Sequence, residues 1–398
     1  MGILEVDVMK NIKVYLESQG ILHSLYRNIL NYPPNGVEYI TDLEFDKKLK
    51  ESVEKPYVKI ISNVAKRIIS TSVIKSYIAR KKNIPKDVQL TYAAEHIVLR
   101  KEPWIVDLEM VTSLTGHDRK FPLYKRFIEK NLASKYCKKI MPWSEAAKET
   151  LLKNLNCQRF EHKIEVVNLA VPPKKFTKRF KNDKVRILFV GTCNPLLIKD
   201  SFRLKGGIEL VHAFKKIENK YKDIELIIRS YIPDKYKKLV TGSRNIKVID
   251  KVLPQKEYDN LFRTADIFIY PGHSVPGLAI LDAMSYELPI IATDIWGNKE
   301  MVQDGVNGFL NKKAKNAKYF VFNGVPDWGT KRFYRSYKKI DKEMVNDIAK
   351  KMMSLIESPK LRRKMGKESR KIIEKGKYSI KERNKKLKRI YEEAAKSK

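Results

Sequence analysis

One lysine and two glycines, Lys205-Gly206-Gly207, open an apolar stretch with the spacing of a helix and follow the hydrophobic run Val185–Gly191. A strand, a loop and a helix in this order place a cation and free backbone N–H groups at the carboxyl edge of a sheet. Such a corner suits a phosphate group. Strand-loop-helix units with glycines are common, however, and Gly206 and Gly207 would equally serve a turn without a ligand.

A second corner of the same kind lies in the segment YPGHSVPGLAILDAMSYELPIIATD, Tyr270–Asp294. The helix that begins near Pro276 and Gly277 points its unpaired N–H groups toward the end of the preceding strand, so we expect two helix N-termini to converge. Asp282 follows within that helix, where its carboxylate would accept hydrogen bonds from ribose hydroxyls. An acid on the helix surface without a ligand fits the spacing equally well.

The chain is strongly basic, with 82 basic and 46 acidic residues and a net charge of +36. A field of this sign attracts anions, among them nucleic acid, anionic lipid and phosphorylated small molecules. A lysine-rich solvated surface explains the charge about as well. The sequence contains no motif typical of RNA or DNA binding, so we expect no nucleic-acid partner.

Metal-ligand spacing is absent from the sequence, because the six histidines are scattered and no Asp-x-Asp triplet occurs. The three cysteines are too few for a disulfide framework. No apolar run reaches the roughly 18 residues of a membrane span, and the N-terminal segment carries acids, unlike a signal peptide. We therefore expect a cytoplasmic protein without a cofactor or a bound metal.

Short β-branched or aromatic runs alternate with helical stretches, which favours parallel sheets covered by helices. The first half starts with the predicted strand Ile12–Ser18. The segment Lys163–Pro173, with its double proline, is predicted to be a strand at a domain boundary, and Lys174–Lys184 a charged linker. The α/β pattern then restarts. The segment Asn311–Lys339 shows no regular spacing of apolar residues and is interpreted as a loop. At 398 residues, two domains are expected.

Seven segments follow one another in a fixed order between Val185 and Leu310: ILFVG, KGG, HAF, IELII, LFRTADIFIYPG, GLAILDAMSYELPIIATD and EMVQDGVNGFL. This order resembles the C-terminal domain of glycosyltransferase family 4. The resemblance implies an α/β protein of the GT-B type, in which two Rossmann-like doubly wound domains face each other across a cleft. It also implies a retaining transfer of a sugar, of the hexosyltransferase type, from a nucleoside diphosphate to a hydroxyl acceptor. A metal-independent reaction is consistent with the absence of metal-ligand spacing in the sequence.

The same resemblance predicts how the chain is divided. We expect an acceptor domain at residues 1–173, a nucleotide-sugar donor domain at 174–378 and a C-terminal helix at 379–398 that crosses back to the first domain. A glycan or a lipid-linked sugar is the expected acceptor. The basic surface then predicts an anionic membrane surface as a further partner and a peripheral location at the inner membrane surface.

Carried over position by position, the resemblance places Gly191 and Lys205 at the donor diphosphate. The Arg that often follows this Gly is Thr192 here, so Arg203 or Lys199 is expected to supply that cation. Lys205 would stabilise the charge that grows on the departing diphosphate, and such a contact is typically worth a few kcal/mol of barrier. Lys205 and Asp282 are thus the expected catalytic residues.

The second corner departs from the family pattern of Glu, seven residues, Glu. Asp282 matches the second Glu, usually placed at the ribose, while the first Glu is missing and the corner is one residue short. His273 or Ser274 is expected to contact the donor sugar instead, although a histidine at such a corner is more often structural. The remaining donor-side residues, at the diphosphate or the nucleobase, are Gly206, Gly277, Leu278, Val252 and Leu253.

Acceptor-side residues are expected at two places in the first domain. Gly20 lies where the family has a glycine-rich turn, and Glu109 or Asp107 stands where a His is common. Either acid could hold a sugar hydroxyl, and Asp107 could equally be a structural cap. Because the first Glu is missing, a catalytically silent GT-B partner or scaffold is an alternative. A basic nucleic-acid-binding protein rests on charge alone.

Overall fold

The computed structural model describes residues 11–18, 24–41, 70–117, 120–176, 184–193, 200–274, 277–327 and 330–396. The chain forms two compact units. The first consists of Met1–Leu169 with Lys381–Lys398, and the second of Ala170–Ile380. Each unit is built on its own parallel sheet, which confirms the predicted α/β class.

The sheet of the first unit consists of parallel strands β1 (Ile12–Glu17), β2 (Val37–Ile40), β3 (Leu90–Ala94), β4 (Trp104–Leu108) and β5 (Cys137–Pro142). Their spatial order is β2-β1-β3-β4-β5. The strand order therefore reverses between β1 and β3. Open α/β sheets typically bind ligands at the carboxyl edge beside such a reversal.

The sheet of the second unit consists of parallel strands β6 (Val185–Val190), β7 (Ile224–Arg229), β8 (Ile246–Ile249), β9 (Ile267–Tyr270), β10 (Ile290–Thr293) and β11 (Gly308–Asn311). The spatial order β11-β10-β9-β6-β7-β8 is that of a dinucleotide-binding fold. Here the order reverses between β6 and β9, the strands that precede the two glycine corners. A separate antiparallel hairpin joins β12 (Phe320–Phe322) to β13 (Val325–Pro326).

Helices connect the strands and cover the sheets. In the described parts of the chain they are α1 (Ser24–Asn31), α2 (Thr71–Ala79), α3 (Phe121–Leu132), α4 (Glu145–Asn154), α5 (Ser201–Leu204), α6 (Gly207–Ile217), α7 (Asp234–Thr241), α8 (Gln255–Thr264), α9 (Ala279–Ser285), α10 (Asn298–Met301), α11 (Lys331–Ser336), α12 (Lys342–Glu357), α13 (Pro359–Glu374) and α14 (Ile380–Lys396). No helix among these residues is both long and apolar enough to cross a membrane.

The C-terminal helix α14 packs into the core of the first unit. Leu387, Ile390 and Tyr391 are buried in one cluster with residues of β1 and β3. The Tyr391 hydroxyl lies 2.7 Å from that of Tyr39, which ties the helix to the end of β2. An amphipathic helix with a buried apolar stripe and a basic outer face is consistent with this packing.

One predicted strand is wrong. The segment Lys163–Pro173 runs alongside β5 without forming a continuous ladder. Glu165 N donates to Ile140 O at 2.9 Å and Val167 N donates to Pro142 O at 3.0 Å, and Ile164 forms only an isolated bridge. Buried apolar residues in extended backbone produce the pattern of a strand whether or not the pairing continues.

Candidate functional site

Two glycines of the second unit, Gly191 and Gly206, lie in close contacts that leave no room for a side chain. A Cβ atom on Gly191 would lie 2.2 Å from Ser230 Oγ, and one on Gly206 would lie 1.9 Å from Pro271 O. Gly206 also has φ +78°, in the left-handed region that favours glycine. The turn before α6 and the residues after β9 therefore touch each other; the predicted convergence of two helix N-termini stays a prediction, because α9 begins only at Ala279.

Lys205 stands between α5 and α6, next to this contact. Its side chain is partly buried, and no carboxylate or carbonyl pairs with its ammonium group within the part of the chain that the structure describes. Burial and the nearby Arg229 guanidinium lower its pKa to about 8. Because a partly desolvated cation without a partner is costly, the arrangement favours an anionic ligand at Lys205.

Arg229, the last residue of β7, lies at the same edge and was not singled out from the sequence. Its Nη1 donates to Gly191 O at 3.4 Å, and its guanidinium lies 5.6 Å over the ring of Tyr258. The Nε atom is buried and has no partner among the described residues. The only sequence signal is an arginine that ends an otherwise largely apolar strand, IELIIR.

Arg203, one of the two cations expected beside Thr192, is occupied by protein groups. Its Nη2 donates to the carbonyls of Tyr337 and Lys338, and its guanidinium lies 5.2 Å over the Tyr337 ring. The Thr192 carbonyl accepts a hydrogen bond from Tyr231 N at 3.0 Å. Lys199, the other expected cation, lies outside the described residues.

His273 is fully buried at the second corner. Its Nδ1 lies 3.0 Å from the Tyr319 hydroxyl, and its Nε2 lies 3.3 Å from Glu209 Oε1. Both ring nitrogens are thus directed at protein groups, which favours the structural alternative for this histidine. The neighbouring Ser274 hydroxyl lies 3.3 Å from that of Tyr270.

The segment Asn311–Lys339, interpreted as a loop, contains the hairpin β12-β13 and helix α11. The Thr330 hydroxyl caps α11 by accepting from Phe333 N at 2.9 Å. Tyr319 and Phe333 form an apolar cluster with Tyr337 after the helix. The ring of Tyr337 lies 4.5 Å from that of His273, so this segment packs against the second corner.

Asp282 lies on α9, the helix of the second corner. Its partly buried carboxylate has no hydrogen-bond partner among the residues that the structure describes. Burial raises its pKa to about 6, Lys174 opposes this rise and Asp259 adds to it. Of the two residues before the helix, Gly277 has φ +61°, and Leu278 O accepts from Asp282 N at 2.8 Å.

The two residues expected near the nucleobase follow β8. Val252 is 74% exposed, an apolar side chain on the surface. Leu253 lines a pocket of about 510 Å³ with Ile249, Lys251 and one side of α8. An apolar surface beside a cavity can receive a planar ring, although apolar side chains on a protein surface are also common without a ligand.

Asp107, on β4 of the first unit, is buried and surrounded by donors. Its carboxylate accepts from Tyr26 OH at 3.0 Å, Tyr92 OH at 3.0 Å, Trp143 Nε1 at 2.8 Å and Glu95 N at 3.2 Å. Burial, together with Glu95, raises its pKa to about 7, while the three side-chain donors oppose the shift. These bonds favour the structural role that the sequence analysis left open.

Glu109 comes together with Glu95 and His117 at the carboxyl edge of β3 and β4. His117 Nε2 lies 4.0 Å from Glu95 Oε1 and 3.9 Å from Glu109 Oε2. Burial and the neighbouring Glu95 raise the pKa of Glu109 to about 8. Their ligand atoms are close enough to hold a metal ion. Sequence spacing missed this group, because the connections after β3 and after β4 bring its members together.

The reversal point of the first sheet is filled by a buried ion-pair cluster. Glu17, at the end of β1, lies 3.0 Å from His96 Nε2 and also contacts Arg100. Burial opposes ionisation of Glu17, but His96 and Arg100 lower its pKa to about 2. Gly20, the expected acceptor-side glycine of the following turn, lies outside the described residues.

Sequence comparison identifies the segment that carries these corners in the second unit. Residues 179–321 match the family model of group 1 glycosyl transferases. This span agrees with the resemblance found between Val185 and Leu310. Lys205, Arg229 and Asp282 all lie inside it.

Individual relatives match only part of the chain. It is 28% identical over 162 residues to the putative glycosyltransferase YtcC of Bacillus subtilis, which covers 36% of this chain and 38% of that protein. It is also 28% identical over 141 residues to the capsular polysaccharide biosynthesis glycosyltransferase CapM of Staphylococcus aureus, which covers 33% and 34%. The matches thus span about a third to a half of the relatives' length.

Solved structures extend the likeness to both units. A glycosyltransferase from Rickettsia africae has a TM-score of 0.61 at 15% identity and covers 96% of this chain and 98% of its own. Anabaena HepE, solved in complex with UDP and glucose, has a TM-score of 0.58 at 12% identity and covers 95% and 98%. At these identities the likeness concerns the fold, and it confirms the predicted pair of Rossmann-like domains of the GT-B type.

Proposed function

We propose that the chain is a retaining hexosyltransferase that moves a sugar from a nucleoside diphosphate to a hydroxyl acceptor. The observation that carries this proposal is the ammonium group of Lys205. It lies beside two sterically required glycines, inside the segment that matches the group 1 model, and without a protein anion among the described residues. A phosphate ligand would relieve the cost of leaving this cation unpaired.

In the proposed complex, Lys205 and the backbone near Gly191 and Gly206 hold the diphosphate, and Gly277 and Leu278 lie near it. Asp282, whose carboxylate is unpaired within the described chain, accepts the ribose hydroxyls. Val252 and Leu253 face the base. These roles follow from the family resemblance and are consistent with the exposure and contacts of each residue.

The proposed reaction breaks the bond between the anomeric carbon and the diphosphate oxygen and forms a bond from that carbon to the acceptor oxygen. The acceptor proton passes to the departing phosphate. Lys205 stabilises the negative charge that builds up on the diphosphate, in the role that a metal ion has in other transferases. A fixed charge aimed at the leaving group acts without reorganisation during the reaction.

On the donor sugar, Ser274 is the better supported of the two proposed contacts, because the ring nitrogens of His273 face Tyr319 and Glu209. On the acceptor side, Glu109 is better supported than Asp107, whose carboxylate is already saturated. Gly20, which lies outside the described residues, stays a proposed acceptor-side residue. A glycan or lipid-linked acceptor is consistent with the capsular polysaccharide name of one relative.

A panel of UDP- and GDP-sugars tests the proposed function. We expect one donor to bind and to be slowly hydrolysed, and the transferred sugar to keep its anomeric configuration in the NMR spectrum of the product. An inverted product would exclude retention. Nucleotide binding without turnover under any condition would instead indicate a silent GT-B partner, and no binding of any donor would contradict both.

The proposed site of action is the cytoplasmic face of an anionic membrane. The net charge of +36 supports this part of the proposal, because basic residues near an anionic surface contribute about 1 kcal/mol each. We expect co-sedimentation with liposomes to rise with phosphatidylglycerol content and to fall with salt. Binding that is the same on neutral liposomes would contradict it.

A further inference from the structure

We infer that Arg229 supplies the second cation of the diphosphate site, in place of the arginine that the resembled family has directly after Gly191. This inference rests on the proposed function, because it deepens the same site. In this chain Thr192 follows Gly191, and Arg203 donates to two backbone carbonyls. Among the described residues, neither Thr192 nor Arg203 supplies this cation, whereas an arginine on the neighbouring strand β7 can.

The pairing of two strands fixes where Arg229 stands. In the parallel ladder of β6 and β7, Arg229 is the partner of Val190, one residue before Gly191. Gly191 N donates to Arg229 O at 2.7 Å, and Arg229 Nη1 donates back to Gly191 O at 3.4 Å. One main-chain and one side-chain hydrogen bond to Gly191 thus hold this arginine at the carboxyl edge, beside the residue that the family places at the diphosphate.

The Arg229 guanidinium packs against an aromatic ring on one face, and its hydrogen-bond donors are only partly satisfied. The ring of Tyr258 lies 5.6 Å from its central carbon and supports it by a cation–π contact. Its buried Nε has no partner among the described residues, and no ion pair is formed by its terminal nitrogens there. Since buried donors in folded proteins are nearly always satisfied, this open donor is available to a ligand.

The strand pairing brings Lys205 and Arg229 to the same edge: Gly206, next to Lys205, contacts Pro271 after β9, and β9 pairs with β6, which in turn pairs with β7. Burial and the Arg229 guanidinium lower the pKa of Lys205. Two cations held near each other without an anion repel each other and destabilise the free protein. A ligand with two adjacent negative groups satisfies both at once, one phosphate at the lysine and the other on the planar fork of the arginine. The pair therefore selects a diphosphate over a monophosphate.

Calorimetric titration of the full chain with inorganic pyrophosphate, UDP, GDP and UMP tests this assignment. We expect Arg229→Ala to weaken pyrophosphate and nucleoside diphosphate binding by about 10- to 100-fold, and UMP binding by less than about 3-fold. Arg229→Lys keeps the charge without the fork and should be intermediate. Arg244→Ala removes an exposed arginine of the same unit and should bind like the wild type.

A relocation variant separates ligand binding from a structural role of the cation–π contact. Thr192→Arg in the Arg229→Ala background returns an arginine to the family position and should recover part of the diphosphate affinity. Thermal melting of each variant checks the fold, and Arg229→Gln replaces Arg229→Ala if the latter does not fold. Equal diphosphate affinity of Arg229→Ala and Arg244→Ala overturns the inference, as does an equal loss for UMP and UDP.

The two proposals fail in different ways. If the wild type transfers sugar and Arg229→Ala does so with unchanged KM for the donor, the inference is wrong and the proposed function stands. If pyrophosphate binding depends on Arg229 and no sugar donor is turned over, the inference stands and the proposed function is wrong. Absence of binding of every phosphate ligand to the wild type overturns the inference and counts against the function.

Discussion

At the carboxyl edges of the two sheets, charged residues differ in how far other protein groups pair with them. In the first unit, Asp107 accepts four hydrogen bonds and Glu17 is paired with His96 and Arg100. In the second unit, Arg229 makes one long contact to the Gly191 carbonyl, and no carboxylate or carbonyl pairs with the Lys205 ammonium group among the described residues. Buried charges that the protein itself satisfies hold a fold together, whereas charges left open are available to a ligand.

The largest effect expected from this comparison is on catalysis at Lys205. Lys205→Ala should lower kcat by about 100- to 1,000-fold, because the lost charge stabilises the departing diphosphate, and it should leave the melting temperature unchanged or higher. Donor turnover and thermal melting measure the two effects. Lys238→Ala, on the exposed side of α7, is the control with the same charge change. Unchanged turnover would remove Lys205 from the mechanism.

The opposite result is expected at Asp107. Asp107→Ala should reduce the free energy of unfolding of the first unit by about 2–4 kcal/mol, because Tyr26, Tyr92 and Trp143 would keep buried donors without an acceptor. Asp107→Asn retains one acceptor oxygen and should cost less. Urea unfolding followed by tryptophan fluorescence measures the loss. A stable Asp107→Ala protein with lost transfer would instead give this acid a direct role.

The strands of the second unit were predictable because buried parallel strands are continuous apolar runs, as in β6 and β9. In the first unit, β5 was not predicted, since Lys138 and Lys139 interrupt its apolar residues; Lys139 is paired with Glu165 at 2.9 Å. The false strand at Lys163–Pro173 has the opposite cause. Burial made its pattern strand-like, while only part of its backbone is paired.

The candidate site was predictable where the backbone itself demands a residue type. Gly191 and Gly206 were predictable site residues because a side chain at either position would clash with its neighbours. Lys205 lies between them in the sequence and was predicted along with them. Arg229 could not be found from its spacing. Only the pairing of β6 with β7 brings Arg229 next to Gly191. The sequence around Arg229 does not show which residue of another strand will be its neighbour.

Ligand affinity at Lys205 and Arg229, at the carboxyl edge of the second sheet, should depend on pH. Burial, Arg229 and, in the opposite direction, Cys193 set the pKa of Lys205 at about 8, so the free protein loses this charge as the pH rises through that value. Diphosphate affinity should therefore fall by about tenfold between pH 7 and pH 9.5. In Arg229→Ala the midpoint should move to higher pH. A flat profile in calorimetric titrations would mean that Lys205 does not contact the ligand.

The smallest effect is expected at Glu109. This acid is an exception in the first unit, because protein groups do not saturate its carboxylate. Its pKa of about 8 in the folded protein lies above the ordinary value of 4.5, so the folded state binds the extra proton. The stability that this protonation provides is present below about pH 4.5 and is lost as the pH rises through about 8. Glu109→Gln, which cannot ionise, should therefore be more stable than the wild type by about 1 kcal/mol at pH 8.5 and nearly equal to it at pH 5. Thermal melting at both pH values measures the difference, with the exposed Glu149→Gln as control. An equal effect at both pH values would show that burial and the neighbouring Glu95 do not raise the pKa of this carboxyl group.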